Sequence, residues 1–224
     1  MNPGEHDLAS SVRLPSPLVE LRDERLELYG VELLLKRDDL IHPEVPGNKW
    51  RKLRYNLEAA RGERFARLLT FGGAFSNHIR ATAAAGYYLD FETVGVIRGE
   101  AHLPLNDALA YATGRGMVLT YLDRATYRRK TEPDVLARLL QQFGPCYVLP
   151  EGGSNGLAVR GCAELVAEIT VDFDVIACAC GTGGTLCWDC GWPRRGAACP
   201  RLRCAQGRPV PGRRDAAAAA RSVR

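Results

Sequence analysis

At 224 residues, with 46% hydrophobic and 25% charged residues, the chain has the size and balance of one large globular domain or two small ones. It contains no run of 18 apolar residues and its first thirty residues are mixed and charged, which argues against a membrane span or a secretory leader and leads to the expectation of a cytosolic protein with reduced cysteines. The net charge of +4 is uneven: residues 187–224 hold nine Arg against two Asp, whereas the body has 21 basic against 24 acidic residues, a net of −3, with no basic stripe to suggest a nucleic-acid partner.

From Val31 to about Cys180, short β-branched runs alternate with amphipathic stretches of ten to fifteen residues, the pattern of repeated βαβ units and a parallel sheet. In chain order the pattern predicts a strand over 31–36, a helix over 48–60 with Leu53, Leu57 and Ala60 on one face, and a strand over 67–71. A helix over 77–86, a strand over 93–97, a helix over 105–113 and a strand over 117–121 follow, then a helix over 133–143, a strand over 146–149, a helix over 157–169 and a strand over 175–180. The fold class is therefore α/β.

Four segments at the ends of these units carry candidate chemistry. In Pro46-Gly47-Asn48-Lys49-Trp50-Arg51-Lys52-Leu53 a lysine lies in the first turn of a helix. The free backbone N–H groups there, together with partial burial, disfavour its ammonium form, and a neutral amine is what Schiff-base chemistry with an aldehyde requires. A solvated lysine is the plain alternative. In Gly72-Gly73-Ala74-Phe75-Ser76-Asn77-His78 a strand runs into two glycines and a Ser-Asn helix start. Such residues cap helices, and the same helix start could bind a carboxylate. Pro150-Glu151-Gly152-Gly153-Ser154-Asn155-Gly156 reads as a tight βα turn whose glycines would also let a ligand approach the backbone. Gly181-Thr182-Gly183-Gly184-Thr185, after an apolar strand, has the successive N–H groups and hydroxyls of a phosphate cradle, and is neither the dinucleotide nor the P-loop motif.

The composition changes at Cys187. The remaining residues contain no Ile, Phe, Tyr or Met and one Leu, with four Pro and the run Ala216 to Ala220, so they are expected to be a non-homologous, disordered tail over 187–224 of the kind produced by translation out of frame. An alternative reads Cys187, Cys190, Cys199 and Cys204 as a zinc site beside an Arg-rich tail, but few apolar residues are present to frame a metal, and no metal is expected.

Taken together and in order, GNKWRKL, GGAFSNHIRATAAAG, PEGGSN and GTGGT resemble the 1-aminocyclopropane-1-carboxylate deaminase and D-cysteine desulfhydrase family of fold type II enzymes dependent on pyridoxal 5'-phosphate, over about residues 15–186. The resemblance implies a two-domain, three-layer α/β/α fold, with residues 1–52 and 165–186 in a larger cofactor domain, 53–164 in a smaller one, and the C-terminal part of the larger domain missing. It implies Lys49 as the Schiff-base lysine and Asn77 as a hydrogen bond to the cofactor ring oxygen. Ser76 would sit beside the substrate carboxylate and assist proton transfer, with His78 in the same substrate-side motif or in a packing role, and Gly181, Thr182, Gly183, Gly184 and Thr185 would hold the phosphate. A small amino acid would be the substrate and a homodimer the assembly. After Leu186 nothing matches, and the tail offers no counterpart of the tyrosine the family's true deaminases place near the substrate. An inactive remnant retaining only the smaller domain is the competing reading.

Overall fold

Two periodicities in the sequence, two residues for strands and 3.6 for helices, place apolar side chains on both faces of a central sheet, and this layering organises the protein. The computed structural model describes residues 11–179 and the backbone of residues 201–204. In chain order the elements are β1 (Leu18–Leu21), α1 (Glu24–Glu27), β2 (Leu33–Lys36), α2 (Asn48–Gly62), β3 (Arg67–Gly72), α3 (Asn77–Leu89), β4 (Glu92–Arg98) and α4 (Asp107–Gly114). They continue with β5 (Val118–Leu122), α5 (Arg124–Arg128), α6 (Pro133–Phe143), β6 (Tyr147–Leu149), α7 (Gly156–Ala167), β7 (Val175–Cys178) and β8 (Arg201–Cys204). Short 3-10 turns cover Asp38–Leu40 and Glu151–Gly153.

The main sheet has four strands in the order β5-β4-β3-β6, all parallel. Parallel strands need helices on both faces, and the alternation along each strand assigns the faces. Leu68 of β3 and Leu149 of β6 pack with Trp50, Leu53 and Leu57 of α2 and Ala81, Ala84 and Ala85 of α3. Ile97 of β4 joins Ile79 and Ala83 of α3 and Leu109 and Ala112 of α4 on that same side. On the opposite face Leu69, Phe71, Val94 and Val96 meet Tyr127 of α5 and Val135 and Leu139 of α6. The result is a three-layer α/β/α sandwich: the alternating pattern implied the α/β class, and the family resemblance the three layers.

Each helix and each sheet strand expected from the sequence is present within a few residues of its expected bounds. Four elements were not anticipated: β1, α1 and α5 are four or five residues long, too short to show a period, and β8 lies in the tail that was expected to be disordered. β1 pairs antiparallel with β2 outside the main sheet, Val19 opposite Leu35 and Leu21 opposite Leu33. β7 pairs parallel with β8, so residues 201–204 of the tail form a strand; the remainder of 187–224, including Cys187, Cys190 and Cys199, lies outside the described residues.

Helices α2 and α7 cross at unusually close range, because Gly161 of α7 lies against the Arg51 carbonyl; a Cβ on Gly161 would sit 1.9 Å from that oxygen. Only glycine fits there. The contact is reinforced by a buried ion cluster. The Arg51 guanidinium donates to both oxygens of Asp38 at 2.7 and 2.9 Å and to both oxygens of Glu168 at 2.9 Å, while Lys36 meets Glu168 at 2.7 Å. Ser16 closes the cluster through Asp38 at 2.6 Å. Three chain segments, at Ser16, at Lys36 to Asp38 and at Glu168, are thereby tied to the start of α2.

Candidate functional site

Lys49 is the second residue of α2, half-buried, and its Nζ donates to Asn48 Oδ1 at 2.8 Å. Burial lowers its pKa from 10.5 to about 8; repulsion from Lys52 adds to this, and Cys162 acts weakly against it. Lys52, one turn on, is itself buried, its Nζ donating to Ser154 Oγ at 3.2 Å and toward the Gly152 carbonyl at 3.4 Å. A second buried lysine beside the first is the one strongly perturbing feature that sequence reasoning left unremarked. The signal was present as the i,i+3 spacing in GNKWRKL, which sets both amines on one side of the helix.

The strand ends supply the other walls. Ser76 caps α3, its Oγ accepting from the backbone N–H groups of His78 at 3.2 Å and Ile79 at 3.3 Å. Both bonds use oxygen lone pairs, so the hydroxyl hydrogen is left for a ligand. Asn77 is exposed at the first helical position, as a ligand-binding side chain must be. His78, by contrast, is buried, with Nε2 2.8 Å from Thr70 Oγ1. Burial first, then the charges of Lys49 and Lys52, push its pKa down to about 3, so the ring is neutral. Gly153 stands against that ring at φ +68, where a side chain would be both strained and in contact with it.

The turn after β6 is fixed to α2 by a pair of amides. Asn155 caps α7 through Ala158 N at 2.9 Å, and its Nδ2 donates to Asn56 Oδ1 at 2.7 Å, while Asn56 Nδ2 donates to the Lys52 carbonyl at 2.7 Å. Lys49 and Lys52 of α2, the start of α3 and the turn at 150–155 thus converge at the carboxyl ends of β3 and β6. Crevices at that edge are where open parallel sheets bind ligands.

A turn ahead of Lys49 is also built rather than loose. His42 Nδ1 accepts from the backbone N–H groups of Glu44 and Val45, each at 3.1 Å, and its ring meets Tyr88 edge-on. Glu44 then accepts from Tyr88 at 3.0 Å, from Tyr111 and from Arg115. These residues are dispersed from His42 to Arg115, which is why no motif exposed them. The fourth sequence motif, Gly181 to Thr185, lies outside the described residues. A cavity of about 290 Å³ opens at the opposite, amino edge of the strands between Arg67, Glu92, Val118 and Phe143, where the charged pair Arg67–Glu92 is bonded to itself. It holds no reactive group and is separate from Lys49. Among the described residues no helix is long and apolar enough to cross a membrane, and no group of three or more His, Cys, Asp or Glu side chains could hold a metal.

Comparison with known proteins agrees with this arrangement. The family model described as "Pyridoxal-phosphate dependent enzyme" matches residues 10–187. A putative 1-aminocyclopropane-1-carboxylate deaminase of Thermotoga maritima is 35% identical over 179 residues, covering 77% of this chain and 57% of that protein. The mitochondrial bifunctional D-cysteine desulfhydrase/1-aminocyclopropane-1-carboxylate deaminase of Arabidopsis thaliana is 33% identical over 195 residues, covering 79% and 48%. Among solved structures, an ACC deaminase homologue superposes with a TM-score of 0.68 at 27% identity, over 84% of this chain and 61% of that one. The chain spans about half the length of the curated relatives it matches. A family match across most of the chain, on a parallel α/β sheet with half-buried Lys49 beside buried Lys52 at its carboxyl edge, establishes that the chain belongs to the 1-aminocyclopropane-1-carboxylate deaminase/D-cysteine desulfhydrase family of pyridoxal-phosphate dependent, fold type II enzymes.

Proposed function

We propose that this protein binds pyridoxal 5'-phosphate covalently through Lys49 and serves a lyase or deaminase acting on a small amino acid, of the D-cysteine desulfhydrase or 1-aminocyclopropane-1-carboxylate deaminase type. The observation that carries the reading is Lys49 itself, an amine brought down to about 8 by burial and by Lys52. At pH 7 roughly one such amine in ten is neutral, against fewer than one in a thousand for an ordinary lysine. The residues present fit the cofactor: an amine of lowered pKa for its aldehyde, Asn77 exposed at the start of α3 for a ring oxygen, and positive charge from Lys52 to favour an anionic group.

When bound, the cofactor supplies an electron sink for a carbanion at the substrate α-carbon. The chain's own groups do the rest. Ser76 directs its free hydroxyl hydrogen at the substrate carboxylate, which also lies at the positive end of α3. Lys49 Nζ, neutral in useful amounts near pH 8, accepts and returns a proton at the α-carbon. The division into a smaller domain over 53–164 and a larger one built on 1–52 and 165–186 belongs to the same reading, with the Gly181 to Thr185 loop as phosphate cradle and a homodimer as the assembly.

The test is the absorbance spectrum of the purified protein after incubation with pyridoxal phosphate, beside a Lys49→Ala variant. A visible band present only in the wild type supports covalent anchoring at Lys49, and release of pyruvate and ammonia from D-cysteine, or of 2-oxobutanoate and ammonia from the cyclopropane acid, then decides the substrate. No band, or equal bands, means that the catalytic function belongs to the relatives and not to this chain.

A further inference from the structure

A buried titratable side chain near the site is one that the proposed chemistry does not use. His78 is 2% exposed, and its Nδ1 has no hydrogen-bond partner among the described residues. An orphaned polar atom in a buried position needs an explanation. The hydrogen-bond count around Thr70 supplies it. Thr70, itself fully buried on β3, has one hydroxyl hydrogen and two neighbours for it, the Leu149 carbonyl of β6 at 3.1 Å and His78 Nε2 at 2.8 Å. If the hydroxyl donates to Leu149, the ring donates from Nε2 and both bonds are made, leaving only an acceptor unpaired. If it donates to the ring instead, the Leu149 bond is lost and Nδ1 becomes an unpaired buried donor facing Gly153, whose added Cβ would lie 3.0 Å from the ring carbon Cε1. Two bonds outweigh one, and a buried orphan donor is rarer than an orphan acceptor.

We propose that Thr70 locks His78 as the neutral, Nε2-protonated ring, and that this lock is a positioning device which fixes the first turn of α3 against β3, β6 and the Gly153 turn. In the proposed function that turn carries Ser76 and Asn77, so the significance of the lock rests on that reading while the lock itself does not. His78 thereby acts through Ser76 and Asn77 without touching substrate. The charged groups facing it are Lys49 and Lys52, both cationic, so every electrostatic neighbour opposes a proton on Nδ1.

The lock is tested on the full chain without cofactor. A long-range proton–nitrogen correlation spectrum of histidine-labelled protein, with the His78 signals assigned from a His78→Gln variant, should give the Nε2-protonated pattern and no titration between pH 5 and 8. Thr70→Ser keeps the hydroxyl and should keep that pattern. Thr70→Val removes it and should abolish the single tautomer, and should also speed hydrogen exchange at the first-turn amides of α3 by roughly tenfold more than at α6, the loss expected when a buried donor is left unpaired. An Nδ1-protonated ring, a midpoint near the ordinary histidine value, or equal acceleration at α3 and α6 in Thr70→Val would overturn the inference. A missing cofactor band with the expected tautomer would instead overturn only the function proposed for Lys49.

Discussion

Replacing Arg51 with Met should be among the most damaging single changes available, and the size of the loss follows from what is left behind. Arg51 is 1% exposed and makes two bidentate pairs, to Asp38 and Glu168, whose side chains are only 12% and 15% exposed. Burial works against its charge, yet the two carboxylates outweigh that and raise its pKa further. Methionine fills the space but leaves Asp38 with the Ser16 hydroxyl, and Glu168 with Lys36 and the Ser16 backbone N–H, as remaining partners. Removing one member of a buried charge cluster costs about 3–5 kcal/mol, because the remaining charges stay desolvated. For a protein of this size that corresponds to a melting temperature lower by roughly 6–20 °C. Urea unfolding followed by far-UV circular dichroism measures it, provided the slope with denaturant is unchanged. The surface ion pair Arg129–Glu132, about half exposed on both sides, is the control, and its loss should cost little because water screens it. If Arg51→Met is no worse than Arg129→Met, the cluster is not what joins these segments. Adding Asp38→Asn to Arg51→Met should recover part of the loss, since it removes a stranded charge.

The same cluster predicts acid sensitivity. Burial would raise Glu168, but hydrogen bonds from Arg51 and Lys36 overcome it and hold its pKa below the ordinary 4.5, so its contribution is intact above that pH and disappears as pH falls through the depressed value; Glu168→Gln should flatten the fall in stability below about pH 4.5. Gly161→Ala drives a methyl group into the Arg51 carbonyl, so α7 must shift from α2 at a cost of about 1–3 kcal/mol or more, read by urea unfolding; a neutral result would mean that the helices are not in contact at that point. Cys146 and Cys162 are buried, with the Cys162 thiol pushed up to about 11, so site-resolved alkylation of native protein at pH 8 should leave both intact until urea is added. Lys52→Met removes a positive neighbour, and the pH midpoint for acylation of Lys49, followed by mass spectrometry, should move upward from about 8; a fixed or lower midpoint would show that burial alone sets it.

How much of this was legible in the sequence depends on whether the information was local. The helix over 48–60 was readable because Leu53, Leu57 and Ala60 recur on one face, and all three are buried. The chain-wise order of strand and helix gave the parallel sheet for the same reason: each unit is a contiguous period. β1 was not readable, since four residues, Leu18 to Leu21, include a single polar position and show no period. The place of Lys49 in the first turn of a helix was readable because its motif is contiguous. The Arg51 cluster was not, because Asp38 and Glu168 are 130 residues apart and only the packing of α7 on α2 joins them. Thr70 illustrates the limit most clearly. In sequence it is an ordinary β-former in an apolar strand, and only the burial of His78 and the position of the Leu149 carbonyl turn it into a hydrogen-bond relay.

The long-range contacts share one feature that explains their placement. Arg51 anchors α2 from behind through Asp38 and Glu168, and the Asn56–Asn155 pair ties it from the side to the turn after β6. Glu44 fastens the turn ahead of α2 to Tyr88 of α3 and Tyr111 of α4, and Lys52 bonds the turn that contacts His78. All four act on the single helix whose second residue is Lys49. An amine whose pKa depends on being half-buried beside another ammonium cannot tolerate rotation of its helix, because a few ångströms of added exposure would restore its hydration and with it the ordinary lysine value. A helix start in isolation frays; here it is held on several sides by groups remote in sequence. The energetic cost of keeping two lysines together at the sheet edge is therefore offset by contacts that make no approach to a ligand. The lowered pKa of Lys49 is as much a property of Arg51, Asn56 and Glu44 as of the motif that contains it.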